Sequence, residues 1–207
     1  MTESKIVQVN YWKRMLKDKK DTFEKLHGIV ILIHNSVEFS DIVNFINEIR
    51  PEQELSLLYI SLINSFERIK SIIEKHSLES KKLFVVDCVS MFSMDVKDTV
   101  DCIFTKPPKN LEQLKEMLLI NISNKNPNIV IIDSISQFIN FSVPTEDELK
   151  EFYKFLNSVK ENISGLKEDS IIFLYDDKYG ELRDLPSISV DLIMKLEVIR
   201  DKTKWRD

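Results

Sequence analysis

The chain has little glycine, cysteine and histidine, and each shortage argues against a class of site. Only 3 of its 207 residues are glycine, whereas phosphate-binding loops need glycine so that backbone N–H groups can approach the phosphate closely. The 2 cysteines, Cys88 and Cys102, are too few and too far apart for a metal motif. Both thiols are therefore expected to be free in a reducing cytoplasm. The histidines, His27, His34 and His76, do not cluster in the sequence, and each is expected to be structural.

Long apolar runs and an excess of basic residues are also missing. No run approaches the roughly 18 apolar residues that a membrane span needs, and the polar N-terminus lacks the apolar core of a signal peptide. The formal net charge of −5 argues against direct binding of nucleic acid, which depends on clustered Lys and Arg. We therefore expect a cytoplasmic protein with no membrane span, no metal or other cofactor, and no direct contact with nucleic acid.

The composition is that of a folded domain. Hydrophobic residues make up 43% of the chain and charged residues 30%, which is enough apolar surface for a full core. Residues 9–26 place their apolar side chains near one helical face. They predict an amphipathic helical extension over residues 1–26, followed by one domain over residues 27–207. The helix is expected to pack across the domain; docking onto a partner or a membrane surface is the alternative.

Short apolar runs alternate with helical segments along the domain. Strands are predicted at residues 29–33, 55–62, 83–89, 129–133, 170–174 and 190–199, and helices at residues 40–49, 64–75, 111–122 and 145–159. Capping boxes are predicted at Asn64 with Glu67 and at Thr145 with Glu148, and Asn110 is predicted to cap the helix that follows it. This alternation predicts an α/β fold, a mostly parallel sheet with helices on both faces.

The predicted strand at residues 129–133 ends in a carboxylate. Four consecutive apolar residues run into Asp133, which predicts a strand buried on both faces. An acidic residue at the carboxyl end of such a strand lies where open α/β sheets bind their ligands. In a nucleotide hydrolase it would hold Mg²⁺ through water. The alternative is that Asp133 only caps the turn after the strand. In the last strand, at residues 190–199, the pattern does not explain Asp191.

Four segments together resemble the RecA-like ATPase domain, in particular its KaiC- and RadA-related branch in archaea and bacteria. The segments are residues 28–34, residues 58–62, residues 111–137 and residues 189–197. They occur in the family's order, and Asp133 and Ser134 match residues of its Walker B motif. The resemblance implies a RecA-like fold over residues 27–207 and a tendency of such domains to assemble side by side.

The phosphate loop of that family is degenerate in this chain. In its pattern, Gly-x-x-Gly-x-Gly-Lys-Ser/Thr, the three glycine positions correspond to Asn35, Glu38 and Ser40. The lysine position holds Asp41, and the position of the Mg²⁺-binding hydroxyl holds Ile42. Because one lysine has become a carboxylate and Glu38 adds another, phosphate should be repelled. Asp41 also lies at a predicted helix N-terminus, where its own charge is favourable.

The family's general base is missing as well. The resemblance places it in a Glu-Glu pair after the second strand, and the matching positions hold Ile63 and Asn64. Neither side chain is suited to take a proton from attacking water. The resemblance therefore implies a pseudo-ATPase with no catalytic residue, no bound cofactor and no metal ligand, in which Asp133 and Ser134 are vestigial.

Three kinds of function remain open. The leading hypothesis is a structural or regulatory subunit that acts through protein–protein interaction in a homo- or hetero-oligomer, with an intact RecA-like paralogue as candidate partner. Its basic tail at residues 202–206 is either a contact or an ordinary solvated terminus. The second is a sensor of a nucleotide or other small ligand that uses Asp133, Ser134 and residues 35–39. The third is a different hydrolase built on Asp133, Ser134 and His34, which lacks a nucleophile elbow.

Overall fold

The computed structural model describes residues 6–7, 28–35, 40, 56–75, 82–162, 170–176, 178, 190–196 and 199–200. The strands are β1 Ile6–Val7, β2 Gly28–His34, β3 Ser56–Ser61, β4 Lys82–Asp87, β5 Cys102–Phe104, β6 Ile129–Asp133, β7 Ser170–Asp176, β8 Leu192–Leu196 and β9 Ile199–Arg200. The helices with described bounds are α1 Phe66–Lys75, α2 Leu111–Lys125 and α3 Glu146–Asn162, and single 3-10 turns occur at Ser90–Phe92 and Ile135–Gln137. The predicted helix at residues 9–26 and the tail at residues 202–206 lie outside the described residues. So does the helix predicted at residues 40–49, apart from Ser40, which is helical.

Seven of the described strands form one parallel sheet. Their order is β5-β4-β3-β6-β7-β2-β8, and every neighbouring pair runs parallel. The predicted α/β fold with a mostly parallel sheet is therefore confirmed. The single strand predicted at residues 190–199 is wrong, because β8 pairs with β2 whereas β9 pairs with β1 in a separate antiparallel ribbon.

The central strands are apolar along nearly their whole length, which explains the parallel arrangement. In β2, β3, β6 and β7 every residue is buried except Gly28, Ser56 and Asp176, which are half-buried. Strands without polar alternation must be covered on both faces of their sheet. One face packs against α2 and α3, through buried side chains such as Leu118 and Phe152. Ile69 of α1 is also buried, but it does not belong to the core cluster that contains Leu118 and Phe152.

Two helices begin at the caps that the sequence predicts. The Asn110 side chain accepts a hydrogen bond from the Gln113 N–H at 2.9 Å at the start of α2. Before α3, the Glu148 carboxylate accepts the Thr145 N–H at 2.8 Å, and the Glu148 N–H donates to the Thr145 hydroxyl at 3.2 Å. The capping box at α3 is therefore confirmed as a reciprocal pair of bonds.

The cap predicted for α1 is wrong by one residue. This helix begins at Phe66, and the Ser65 hydroxyl accepts the Arg68 N–H at 3.4 Å. Asn64 does not cap the helix because its side chain is engaged elsewhere: its Nδ2 donates to Asp133 at 3.1 Å. The long-range contact overrides the local capping preference.

Asp191 links β8, β2 and α3. One of its carboxylate oxygens accepts the Ile29 N–H at 2.9 Å, and the other accepts from the Lys160 ammonium at 2.8 Å. The Asp191 N–H donates to the Ile29 carbonyl at 2.9 Å. Gly28 has φ +95°, and a Cβ there would collide with the Asp191 carboxylate. Both the backbone angle and the close approach therefore require glycine at this position.

β5 forms one edge of the sheet, and the loop before it closes part of the outer side. Residues 101 and 105 form backbone hydrogen bonds with β4. Because backbone groups alternate in direction along a strand, those of Cys102 and Phe104 point away from β4. The Asp98 carboxylate accepts the Phe104 N–H at 2.9 Å, and the Thr99 N–H donates to the Cys102 carbonyl at 2.8 Å. Two of the outward-facing groups thus have partners within the chain.

Candidate functional site

The carboxyl ends of the parallel strands bring polar side chains to one edge of the sheet. β2, β3, β4, β6 and β7 end in His34, Ser61, Asp87, Asp133 and Asp176 respectively. The first four are buried, and Asp176 is half-buried. The predicted strand before Asp133 is confirmed, and it is buried along its whole length. This edge is where open α/β sheets place their ligands.

Asp133 is enclosed by hydrogen-bond donors from β3 and from the turn after it. Its side chain is only 6% exposed. The Asp133 Oδ2 accepts from the hydroxyl of Tyr59, a fully buried residue of β3, and from the Asn64 Nδ2 at 3.1 Å. Because β3 pairs with β6 in register, with Ser61 opposite Asp133, the turn after β3 lies beside this carboxylate.

The surroundings of Asp133 disfavour its charged form. Burial raises the pKa of its carboxyl group, and the nearby Asp176 charge adds to the rise. Hydrogen bonds from Tyr59 and Asn64 and the proximity of His34 lower the pKa, but not enough to offset burial. Burial and the Asp133 charge raise the pKa of Tyr59 well above its ordinary value, so this phenol keeps its proton at neutral pH.

The serines after β6 bind backbone groups of the adjacent strand β7. The Ser134 hydroxyl, fully buried, donates to the Leu174 carbonyl at 2.8 Å and accepts the Ser136 N–H at 3.2 Å. The Ser136 hydroxyl accepts the Asp176 N–H at 2.8 Å. The peptide bond that joins Asp133 to Ser134 is cis. Because the Ser134 hydroxyl is already bonded to backbone, the structure argues against a hydrolase with this residue as nucleophile.

Two of the five positions that match the degenerate phosphate loop are described. Asn35 directly follows β2 and is half-buried, and Ser40 is helical and also half-buried. Glu38, Asp41 and Ile42 lie outside the described residues, so the repulsion of phosphate by these side chains stays a prediction.

The two positions that the resemblance matches to the family's general base differ in exposure. Ile63 is 49% exposed, whereas Asn64 is half-buried. The Asn64 backbone is fixed by the Ser61 hydroxyl, which accepts its N–H at 3.0 Å and donates to its carbonyl at 2.6 Å. This arrangement holds the Asn64 amide against Asp133, so the residue at the base position binds the carboxylate instead.

Asp87 is a buried carboxylate that sequence reasoning missed. It accepts the N–H groups of Phe66 at 2.7 Å, Val89 at 2.7 Å and Ser90 at 2.8 Å, and the Ser90 hydroxyl at 2.6 Å. Burial alone would raise the pKa of Asp87, but the bonds from Ser90, Phe66 and Val89 outweigh it and lower the pKa. The sequence does contain a signal for this residue, because Asp87, like Asp133, ends an apolar run. Its role is to join the start of α1 to the turn after β4.

The cysteines are buried and form no disulfide. Burial and the Asp87 charge raise the pKa of each thiol, Cys88 and Cys102, to about 12. Across the described part of the chain, no group of three or more His, Cys, Asp or Glu is placed to hold a metal ion. Within the same residues, no helix combines the length and apolar character needed to cross a membrane.

A groove of about 440 Å³ lies elsewhere, against α1 and the first residues of β3 and β4. Lys125 of α2 lies over the Phe84 ring at its border, with the ammonium nitrogen 3.6 Å from the ring centre. The lining residues are Ser56, Phe66, Lys70, Glu74, Lys82, Leu83, Phe84, Asp101 and Lys125. None of them is a residue that the family resemblance assigns to the nucleotide site.

Comparisons with known proteins give similarities to solved structures and none at the level of sequence families. No protein-family model matches the chain, and no curated protein matches it significantly. The fold is similar to the crystal structure of a KaiC-like protein from the hyperthermophilic archaeon Pyrococcus horikoshii OT3. The match covers 82% of this chain and 73% of the archaeal chain, with 14% sequence identity and a TM-score of 0.46. A similarity at this level assigns no function.

Proposed function

We propose that the chain is a RecA-like, KaiC-related domain that does not hydrolyse ATP and that acts as a structural or regulatory subunit by binding other proteins. An intact RecA-like paralogue is the candidate partner. The observation that carries the proposal is the enclosure of Asp133 by Tyr59 and Asn64.

The enclosure supports the loss of a metal site. A carboxylate that holds Mg²⁺ through water must be charged and must face that water. Asp133 is 6% exposed, burial raises its pKa, and one of its oxygens is bonded to two protein donors. Asn64 holds the position that the resemblance assigns to the general base. Asn64 therefore stands where the family has its base, and its side chain also binds the carboxylate that would hold the metal.

The sequence of the degenerate loop supports the same proposal. Its lysine and Mg²⁺-hydroxyl positions hold Asp41 and Ile42, and Glu38 adds a further negative charge. Without glycines or the lysine, the loop cannot surround a phosphate with N–H groups and neutralise it. Binding and hydrolysis of ATP would each need several simultaneous substitutions.

Apolar side chains exposed near the strand ends support a role in protein binding. Ile63 is 49% exposed and Phe92 is 74% exposed, and they follow the neighbouring strands β3 and β4. Exposed apolar side chains at one edge of a sheet are typical of interaction surfaces in soluble proteins.

Calorimetric titration of the purified chain with MgATP, combined with a phosphate-release assay, tests the loss of catalysis. We expect no binding heat up to millimolar nucleotide, and phosphate release equal to that of the Asp133→Asn variant. A micromolar dissociation constant would contradict the proposal, as would phosphate release that Asp133→Asn abolishes.

Affinity purification from the native cell tests the role as a subunit. We expect a catalytically intact RecA-like protein to copurify equally with the wild-type chain and with Asp133→Asn, because the carboxylate is not part of the proposed interface. A partner that dissociates from Asp133→Asn would show that the site still works.

A further inference from the structure

The groove beside α1 lies where β5 leaves part of β4 uncovered. β5 pairs with residues 85–87 of β4, so among the described strands none pairs with the outer edge of residues 82–84. Backbone groups alternate in direction along a strand, and the Val85 N–H donates to the Asp101 carbonyl on the β5 side. The Leu83 N–H and carbonyl therefore point to the same side, and within the described part of the chain neither has a hydrogen-bond partner.

Three lysines line this groove, and we call it the lysine groove after Lys70, Lys82 and Lys125. All three side chains are exposed. Lys125 is the last residue of α2, and its ammonium nitrogen lies 3.6 Å from the centre of the Phe84 ring. This contact fixes the position of one positive charge at the border of the groove.

The lysine charges are not neutralised by ion pairs within the described residues. Glu74 and Asp101 also line the groove. The ion pairs among the described residues all lie elsewhere and join Lys115 to Glu112, Lys150 to Asp147 and Lys160 to Asp191. Three ammonium groups and two carboxylates in one cavity leave an excess of one positive charge. This excess favours a ligand with a single negative charge, whereas the two carboxylates disfavour a ligand with several.

The size and lining of the lysine groove fit a small compound that contains a ring. Its volume of about 440 Å³ lies within the range of small-ligand pockets, roughly 300–1,000 Å³. Phe66, Lys70 and Glu74 recur every four residues on α1, so they share one face and span about 12 Å along the helix. Phe66 and Leu83 are half-buried and add apolar surface. Because β5 occupies the edge of β4 from residue 85 onward, an added peptide strand cannot continue along the sheet.

We propose that the lysine groove binds a small aromatic monoanion. The carboxylate or sulfonate group of this ligand lies among the three ammonium groups, and its ring packs against Phe66 and Leu83. Ammonium groups form charge-assisted hydrogen bonds with such an anion, and the Leu83 N–H adds a further donor. The groove residues differ from those of the degenerate nucleotide site, so this proposal goes beyond the proposed function and does not depend on it.

Calorimetric titration of the full chain with naphthalene-2-sulfonate at low salt tests the proposal. Two matched probes separate the charge from the ring: naphthalene-2-sulfonamide keeps the ring without the charge, and methanesulfonate keeps the charge without the ring. We expect a dissociation constant below about 1 mM for naphthalene-2-sulfonate, and binding at least about tenfold weaker for each matched probe. Equal binding of either matched probe overturns the proposal, as does the absence of binding heat with millimolar naphthalene-2-sulfonate.

Charge substitutions in the groove should act in opposite directions. Lys70→Gln and Lys82→Gln should each weaken binding of naphthalene-2-sulfonate about two- to fivefold, whereas Glu74→Gln should strengthen it by a similar factor. Added salt should reduce both effects. A general disturbance of the fold would weaken binding in all three variants, so the opposite signs distinguish a direct charge effect. Unchanged affinity in both lysine variants, or weaker binding by Glu74→Gln, overturns the proposal.

Lys154→Gln is the matched control, because this lysine is exposed on α3 and lines no part of the groove. It removes the same charge and should bind naphthalene-2-sulfonate as the wild-type chain does. Thermal unfolding should show that every variant is folded. A loss in Lys154→Gln equal to that in the groove variants would show that only the net charge of the chain matters, which overturns the proposal.

Amide chemical shifts locate the bound naphthalene-2-sulfonate. In an NMR titration, we expect the largest changes of amide proton and nitrogen shifts at Lys70 and Leu83. The largest changes at Asn64 and Ser134 would place the probe at the carboxyl ends of the strands and would overturn the proposal. None of these measurements involves nucleotide, so their failure is distinguishable from the failure of the ATP titration.

Discussion

At the scale of single residues, Asp133 and Asp87 show how surroundings decide what a buried carboxylate can do. Both end parallel strands that flank β3, and both are buried. Asp87 accepts three backbone N–H groups and a hydroxyl, and its pKa is lowered. Asp133 accepts from two side chains, and its pKa is raised. The fold therefore stabilises the charge on Asp87 and disfavours the charge on Asp133.

Asp133→Asn should change the free energy of unfolding at neutral pH by no more than about 1 kcal/mol, because the amide oxygen can accept the same two hydrogen bonds. Asp133→Ala removes the acceptor that Tyr59 and Asn64 share and should cost about 2–3 kcal/mol. Urea unfolding of the three proteins measures both changes. A loss above about 2 kcal/mol in Asp133→Asn would show that the charge stabilises the fold.

The same variants test the pKa of Asp133. Since the folded-state pKa lies above the ordinary 3.8, the folded chain holds this proton more tightly than the unfolded chain. Wild-type stability should therefore fall, relative to Asp133→Asn, as pH rises from near 3.8 through the folded pKa. Parallel pH profiles for the two proteins would contradict the raised pKa.

Asp87→Asn should destabilise the fold by about 2–4 kcal/mol at neutral pH, because the amide cannot accept all four bonds of the carboxylate. The folded pKa of Asp87 is lowered, so its contribution is present above the ordinary pKa of 3.8 and is lost as pH falls through the folded pKa. The exposed Asp95→Asn is the control and should stay within about 0.5 kcal/mol of wild type. Urea unfolding between neutral and acidic pH measures the effect; equal stabilities of the two variants would contradict it.

Sequence alone located Asp133 but not the residues that bind it. An apolar run that ends in an acid is visible over a few positions, whereas Tyr59 and Asn64 lie 74 and 69 residues away in the chain. Their meeting depends on the register between β3 and β6, which no local pattern specifies. For the same reason the capping prediction at Asn64 was wrong.

At the scale of secondary-structure elements, Gly28 and Asp191 join the start of β2 to β8. Gly28→Ala should destabilise the fold by about 2–4 kcal/mol, since the positive φ and the collision with the Asp191 carboxylate both oppose a side chain. In an Asp191→Ala background the same substitution should cost only the backbone strain, about 1–2 kcal/mol. Thermal or urea unfolding of this double-mutant cycle gives the coupling, and additive losses would show that the collision is not the cause.

Lys160→Met separates the ion pair from the backbone bond in this linkage. Both partners of the ion pair are substantially exposed, so the loss should be at most about 1 kcal/mol. A larger loss than that of Gly28→Ala would place the main stabilising contact at the Lys160 ammonium instead of the Ile29 N–H.

The periodicity of apolar residues predicted whether each element is a helix or a strand, whereas the residues at which elements begin and end were harder to predict. The caps of α2 and α3 depend on residues three positions apart and were predicted correctly. The separation of β8 from β9 was missed because apolar residues continue through both, while their different partners β2 and β1 are fixed by distant chain segments.

At the scale of the whole molecule, the strand order implies a gradient of stability from the centre of the sheet to its β5 edge. Among the described strands, β4 is paired on both sides, whereas the three-residue β5 pairs only with β4. The alternation of strands and helices predicted this α/β architecture. The strand order itself was not predictable, because it depends on contacts between segments that are far apart in the sequence.

The two thiols can measure this gradient. Cys88 directly follows β4 and Cys102 begins β5, both are buried, and burial raises the pKa of each to about 12. Reaction with a thiol reagent at neutral pH therefore requires the structure to open. In single-cysteine variants, Cys102 should react faster than Cys88 without denaturant, because the edge strand can open locally. Mass spectrometry measures the rates, and equal rates that follow global unfolding would show that β5 opens only with the whole domain.

The hydrogen bonds on the outer side of β5 also affect whether copies of the chain can add strands to this sheet at high concentration. An edge strand with free backbone groups can seed growth by adding strands from other molecules, and fibrils extend in this way. At β5 the Asp98 carboxylate and the Thr99 N–H already occupy two outward-facing groups, and Pro107 and Pro108 follow closely. Proline cannot donate to a further strand. The β5 edge therefore offers fewer free backbone groups to a further strand, which disfavours growth of the sheet from this side when copies of the chain are close together.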